Sequence, residues 1–179
     1  HIVVMGIGEP FDNYDNLLDF LKIVNYAKGL EIGSRHITVS TAGLVPKILD
    51  FANFPLQINL AVSLHFANDE LRNKYMPVNK AYNLSELMNA LKKYFSITSR
   101  RITFEYILLK GVNDGKTQVK QLAKLLRGMN AYVNLIPYNA VDEKGFKSVS
   151  YNEAMVFYDA LMKEGIRCTI RKEHGADID

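Results

Sequence analysis

The chain has 179 residues, of which 48% are hydrophobic, and its formal net charge at pH 7 is +3. This length and composition suit one folded domain over residues 1–179 and exclude disordered and fibrous proteins. The sequence has neither an apolar run of ~18 residues nor a basic-then-apolar leader, so we expect a cytoplasmic protein with no membrane partner. A single cysteine, Cys168, cannot form an internal disulfide, and its position in a β-rich run predicts a buried structural thiol.

Short β-rich runs alternate with longer amphipathic segments, which is typical of successive βαβ units. Six strands are predicted, at residues 2–5, 36–40, 57–64, 102–109, 132–136 and 167–170. Right-handed crossovers in series produce either an arc of a barrel or an open doubly wound sheet. Six strands are too few for a closed eight-stranded barrel. We therefore expect an α/β fold built as an incomplete parallel (β/α) barrel with outer helices, and the doubly wound sheet is the alternative.

The segments between these strands carry helix signals. Leu17, Leu21 and Val24 recur at helical spacing, and a short helix is expected at residues 45–52. Two capping boxes mark further helix starts, Asn83 with Glu86 and Ser150 with Glu153, and the turn at 113–115 precedes another helix. Each predicted helix therefore has a local cause in the sequence.

Polar or glycine residues follow four of the predicted strands. Gly8 and Glu9 follow the first, Ser40 ends the second, Ser63, Leu64 and His65 end the third, and Asn139 follows the fifth. Because the carboxyl ends of parallel strands meet at one edge, we expect these residues to form a ligand site. Its groups suit a zwitterionic, hydroxylated ligand: a carboxylate for an ammonium, hydroxyls for a carboxylate or ribose oxygen, and an amide for ribose or base.

Structural interpretations of the same residues remain open. Serine at a strand end is often only a turn or cap residue, and His65 alone is more typical of a packing histidine than of a ligand. Glu105 lies inside the fourth strand, where a carboxylate either supports the site or has a purely structural role. The sequence has no spacing typical of zinc ligands, a phosphate loop or a nucleophilic serine, so we expect no metal ligand or catalytic residue within the chain.

Eight ordered motifs resemble the radical S-adenosylmethionine RNA methyltransferases, in particular those that methylate C2 of adenine. They stand at 5–10 (MGIGEP), 38–43 (TVSTAG), 61–65 (AVSLH), 68–72 (NDELR), 77–80 (PVNK), 112–114 (VND), 134–139 (NLIPYN) and 175–179 (GADID). The resemblance implies that S-adenosylmethionine is held by Gly8, Glu9, Ser40, Ser63, Leu64, His65 and Asn139. It also implies ribosomal RNA and transfer RNA as partners in the complete enzyme.

The same resemblance implies a [4Fe-4S] cluster, held by a Cys-x-x-x-Cys-x-x-Cys loop that would precede His1, and a methyl-carrying cysteine that would follow Asp179. Cys168 matches neither position, and one cysteine cannot hold such a cluster. We therefore expect a barrel truncated at both ends, inactive alone, with an exposed edge strand that permits dimerisation. The alternatives are a relative that methylates adenine C8 and a non-catalytic module that binds S-adenosylmethionine or a nucleotide.

Basic residues are candidates for RNA contact in two groups, although solvated helix faces have the same pattern. One group lies at a helix-to-strand junction and the other along one helix: Lys92, Lys93, Arg100 and Arg101, then Lys116, Lys120, Lys124 and Arg127.

Overall fold

Six parallel strands form one sheet whose spatial order follows the chain. The computed structural model describes residues 1–5, 7–139 and 145–171. Its strands are β1 Ile2–Val4, β2 Ile37–Thr41, β3 Asn59–Ser63, β4 Ile102–Leu108, β5 Ala131–Pro137 and β6 Cys168–Ile170. Each pairs in parallel with the next, in the order β1-β2-β3-β4-β5-β6. All six predicted strands are confirmed.

The strand order also decides between the two predicted topologies. A doubly wound sheet reverses its order at a switch point, and this sheet does not. Met5, which follows β1, and Arg171, which follows β6, line the same cleft. The two ends of the sheet therefore lie near each other, which shows that the sheet is curled. Among the described residues, β1 and β6 each pair with one strand only, so the barrel is open. The expected incomplete parallel barrel is confirmed.

Helices cover the outer face of this sheet. They are α1 Tyr14–Asn25, α2 Val45–Phe51, α3 Asp69–Tyr75, α4 Val78–Ala81, α5 Leu84–Thr98, α6 Lys116–Leu126 and α7 Tyr151–Lys163, with 3-10 helices at Pro10–Asn13 and Ser34–His36. Both capping boxes form, at Asn83 and at Ser150. The helices α3 and α4 were not predicted from the sequence. None of the described helices is long and apolar enough to cross a membrane.

The two faces of the strands differ in polarity. Val39, Val62 and Phe104 are fully buried in the core between the sheet and the outer helices. Alternate residues face the barrel interior and are mostly polar, as with Ser40 on β2 and Glu105 on β4. Strand side chains alternate between faces, so the same strands that build an apolar core also line polar clefts.

Candidate active site at the carboxyl edge of the sheet

A cleft of about 320 Å³ opens at the carboxyl ends of the strands. Five residues expected to contact the ligand line it: Gly8, Glu9, Ser40, Ser63 and His65. They follow or end β1, β2 and β3, which are neighbours in the sheet. The structure therefore brings these five residues together, and the ligand that they bind stays a prediction.

Glu9 joins the ends of β1 and β2. Its Oε1 accepts a hydrogen bond from the Phe11 N–H at 3.0 Å, which caps the following 3-10 helix, and its Oε2 accepts one from the Ala42 N–H at 2.6 Å. Two backbone donors thus orient the carboxylate without supplying a neutralising charge. Each carboxylate oxygen keeps a further lone pair, so Glu9 can still accept a hydrogen bond from an ammonium or hydroxyl of a ligand.

Glu105 organises the two serines. Its Oε2 accepts hydrogen bonds from the hydroxyls of Ser40 at 2.9 Å and Ser63 at 3.1 Å. Glu105 is only 6% exposed, and burial of a carboxylate without hydrogen-bond donors costs free energy. The two serine hydroxyls reduce this cost. Because both hydroxyl protons point to Glu105, the serines offer a ligand their oxygen lone pairs. This arrangement favours a ribose hydroxyl or an ammonium over a carboxylate as the group that they bind.

His65 combines the structural and ligand-binding roles that the sequence left open. Its φ of 57° lies in the left-handed region, which is uncommon for residues other than glycine. Its Nδ1 accepts a hydrogen bond from the Ile107 N–H at 3.2 Å, so the neutral ring carries its proton on Nε2. Burial, and to a smaller extent the charge of Arg72, lower the pKa of His65 to about 4. A neutral ring therefore lines the cleft, and its Nε2–H donates to no group among the described residues.

Arg72 links the loops that follow β2 and β3. The residue is 0% exposed, and its guanidinium donates to the carbonyls of Ala42 at 2.6 Å and Leu64 at 3.2 Å and to Asn79 Oδ1 at 2.8 Å. Burial lowers the pKa of Arg72 to about 10, while nearby Asp69 opposes this shift. The sequence motifs contained Arg72 and Asn79, but their spacing did not reveal that the two residues form a hydrogen bond beside these loops.

The other two expected contacts lie elsewhere. The Leu64 side chain is 0% exposed and packs in the apolar core, which leaves only its backbone to contact a ligand. Asn139 is exposed and is not among the residues that line the cleft. Arg171 also lines the cleft, and neither the predicted site residues nor the motifs included it. Arg171 directly follows β6, so the rule applied to the other strand ends would have found it.

The residues of the chain do not fit an iron–sulfur cluster. Cys168 is 5% exposed, and its Sγ lies 3.9 Å from the Tyr158 carbonyl oxygen. Burial, and to a smaller extent the charge of Asp159, raise the pKa of its thiol to about 12, which disfavours the thiolate that binds iron. The described residues contain no cluster of three His, Cys, Asp or Glu side chains suited to a metal ion. Cys168 is the buried thiol that the sequence predicts.

Comparison with protein families identifies a match to the radical SAM superfamily over residues 1–126. Among curated proteins, a "Probable dual-specificity RNA methyltransferase RlmN" of Listeria welshimeri is 58% identical over 182 residues, which cover 100% of this chain and 50% of that protein. A protein of the same name from Spiroplasma citri is 56% identical over 180 residues and is 51% covered. The chain spans about half the length of the curated relatives that it matches.

Two solved structures share the fold. A radical SAM methyltransferase from Sphaerobacter thermophilus superimposes with a TM-score of 0.96 and 44% identity, over 99% of this chain and 52% of that chain. A domain of pyruvate-formate lyase-activating enzyme from Bacteroides vulgatus superimposes with a TM-score of 0.68 and 18% identity, over 95% of this chain and 98% of that domain. The second likeness concerns the fold alone.

Proposed function

The chain belongs to the radical SAM superfamily, and on this premise we propose that it is the barrel half of an enzyme that methylates C2 of adenine in ribosomal and transfer RNA. Identities of 56% and 58% to proteins named RNA methyltransferases support the proposal. The observation that carries it is the cleft in which Gly8, Glu9, Ser40, Ser63 and His65 meet. We place the enzyme in the cytoplasm, where its RNA partners are made and matured.

The cleft suits S-adenosylmethionine, which supplies the radical in this superfamily and also the methyl group in its methyltransferases. Glu9 and the serine oxygens offer acceptors for its ammonium and ribose hydroxyls, and His65 offers the Nε2 proton as a donor. Gly8 has a φ of 114°, and a Cβ placed on it would meet no atom within 4 Å, so the backbone there is open to a ligand. Leu64 and Asn139 belong to the proposed contacts through the resemblance alone.

Arg171 adds a positive charge to the same cleft, which otherwise contains the carboxylates of Glu9 and Glu105. A ligand with an ammonium and a carboxylate matches a site that has charges of both signs. We assign the ammonium to the Glu9 side and the carboxylate to Arg171. The chain itself holds no cluster, so we expect no methylation by the 179 residues alone.

A chimera tests the function directly. The matching half of the Listeria welshimeri relative is replaced by this chain, the iron–sulfur cluster is reconstituted, and modified nucleosides from treated ribosomal and transfer RNA are identified by mass spectrometry. The account predicts 2-methyladenosine in both RNAs. The matched control is the same chimera with Glu9→Ala, which should lose most of the product.

Other products of the chimera distinguish the alternatives. Methylation at C8 would assign the chain to the C8 enzymes. A folded chimera with an intact cluster and no product would favour the binding module that has no chemistry of its own.

We also propose that the free edge of β1 pairs with β1 of a second copy. Within the described residues β1 pairs only with β2, and Val3 and Met5 are 53% and 42% exposed. An unpaired, apolar edge strand is a template for such pairing. Light scattering should show a dimer that Val3→Lys dissociates, and a monomer at high concentration would remove this proposal.

A further inference from the structure

A second cleft, of about 670 Å³, opens at the amino ends of the strands. Four arginines line this arginine cleft: Arg35, Arg100, Arg101 and Arg167. Arg35 lies just before β2, Arg100 and Arg101 lie before β4, and Arg167 lies before β6. Because parallel strands begin at the same edge, the fold gathers four guanidinium groups from distant parts of the chain.

The charge of these arginines is not neutralised. The other lining residues are Thr38, Gln57, Asn59, Thr103 and Asn130, all uncharged. Three arginines donate to amide oxygens, Arg35 to Gln57 at 3.0 Å, Arg100 to Asn59 at 3.0 Å and Arg167 to Asn130 at 3.1 Å. In the described part of the chain, none of the four forms an ion pair with a carboxylate. The amides therefore fix the orientation of the guanidinium groups and leave their charge available.

Arg100 has an unused donor at the cleft. Its Nη1 is buried and has no hydrogen-bond partner among the described residues. Burial lowers the pKa of Arg100, Tyr94 opposes this shift, and the nearby charge of Arg35 adds to it. An anion in the cleft would offset the repulsion between the two guanidinium groups.

We propose that the arginine cleft binds phosphate groups of an RNA backbone. The planar guanidinium matches phosphate in bidentate geometry, and several arginines in one cleft concentrate the positive potential. A volume of about 670 Å³ has room for more than a single phosphate. Arg101 lies over the Tyr132 ring, 4.8 Å from its centroid, and this contact helps to hold its guanidinium in place.

The cleft is distinct from the candidate active site, although the two share the barrel interior. Thr38 lines the arginine cleft and Ser40 lines the site, two residues apart on β2, or roughly 7 Å along the strand. Phosphate contacts position a nucleic acid without reading its bases. The choice of RNA as the polyanion rests on the proposed function, whereas the anion site rests on the arginines alone.

Binding of a labelled RNA hairpin, followed by fluorescence anisotropy, tests the proposal with the 179-residue chain. The variant Arg35→Gln with Arg167→Gln removes two exposed charges from the cleft. The control, Lys74→Gln with Lys80→Gln, removes two exposed charges from α3 and α4, which do not line the cleft. We expect the arginine variant to bind roughly tenfold or more weakly at low salt, with the salt dependence of log K reduced by about 1.5, and the control to change little. Circular dichroism checks that both variants fold.

Equal losses in the two variants would show general charge attraction and overturn the proposal, as would unchanged binding by the arginine variant. Titration with inorganic phosphate at matched ionic strength provides the second arm. If phosphate binds the cleft while RNA affinity does not depend on the arginines, the site takes free anions and the RNA assignment is wrong. The original chain, the arginine variant and the control should bind S-adenosylmethionine equally at the opposite edge. A failure of the arginine-cleft proposal is therefore distinguishable from a failure of the proposed function.

Discussion

The Ser40 hydroxyl on β2 donates to Glu105 Oε2 on β4 at 2.9 Å and so spans the intervening strand β3. Ser63 on β3 donates to the same oxygen at 3.1 Å. Three neighbouring strands are therefore linked inside the barrel by one carboxylate. Any ligand of the cleft meets serine oxygens whose orientation Glu105 sets.

Removal of either partner should expose this coupling. We expect Ser40→Ala to destabilise the fold by about 1–3 kcal/mol, because Glu105 keeps its buried carboxylate and loses a donor. A double-mutant cycle with Glu105→Gln should give a coupling energy of about 0.5–3 kcal/mol, measured by urea unfolding. The exposed Ser85→Ala on α5 is the control, and a change within about 0.5 kcal/mol is expected there. A cycle energy near zero would mean that the bond contributes nothing to stability.

His65 should make stability dependent on pH. Its pKa is about 4 in the folded protein against 6.5 for an exposed histidine, so the unfolded chain binds the proton first as pH falls. The contribution is complete above pH 6.5 and is lost progressively between pH 6.5 and 4. The loss approaches about 3 kcal/mol by linkage.

The variant His65→Asn isolates this effect, because asparagine tolerates left-handed backbone and does not titrate. The difference in unfolding free energy between the original protein and the variant, measured by urea at several pH values, should shrink as pH falls through this window. If this difference in unfolding free energy does not depend on pH, His65 has the same pKa in the folded and unfolded states, and the account is wrong.

The hydrogen bonds of Arg72 to the loops after β2 and β3 should contribute strongly to the stability of the fold. Lysine keeps the charge but cannot reach Ala42, Leu64 and Asn79 together, so we expect Arg72→Lys to cost about 2–4 kcal/mol. Arg127→Lys, at an exposed position, is the matched control and should be nearly neutral. Thermal unfolding measures both, and equal melting temperatures for the two variants would contradict the role of Arg72.

Glu9 should matter for structure as well as for ligand binding. Glu9→Ala removes the acceptor for the Phe11 and Ala42 N–H groups and should destabilise the fold by about 1–2 kcal/mol. Glu9→Gln retains one acceptor oxygen and removes the charge. We therefore expect it to lose less stability than Glu9→Ala and about as much affinity for S-adenosylmethionine. If Gln binds the ligand as well as Glu does, the carboxylate charge does not take part.

The sheet was predictable because its signals are local. Runs of β-branched residues set the strands, and Asn83 and Ser150 each begin a helix through contacts three residues away. Glu9, Ser40 and His65 were found because parallel strands bring their carboxyl ends to one edge.

The rest of the site depends on contacts between distant residues. Ser40 and Glu105 are 65 positions apart, and Arg72 reaches Ala42 across 30, so neither bond leaves a periodic trace in the sequence. The same is true of the arginine cleft, where Arg35 and Arg167 meet only after folding. The residues after Arg171, which include the motif at 175–179, lie outside the described part of the chain.

The most direct test of the central claim is a titration of the isotope-labelled chain with S-adenosylmethionine, followed by amide chemical shifts in NMR spectra. Weak binding is sufficient for this measurement, and the chain is expected to bind weakly because no cluster iron chelates the ligand. The account predicts shifts concentrated at Gly8, Glu9, Ala42, Ser63 and His65, and none at Arg35 or Arg167. Shifts confined to the amino edge, or none at saturating ligand, would contradict the assignment of the carboxyl-edge cleft as the S-adenosylmethionine site.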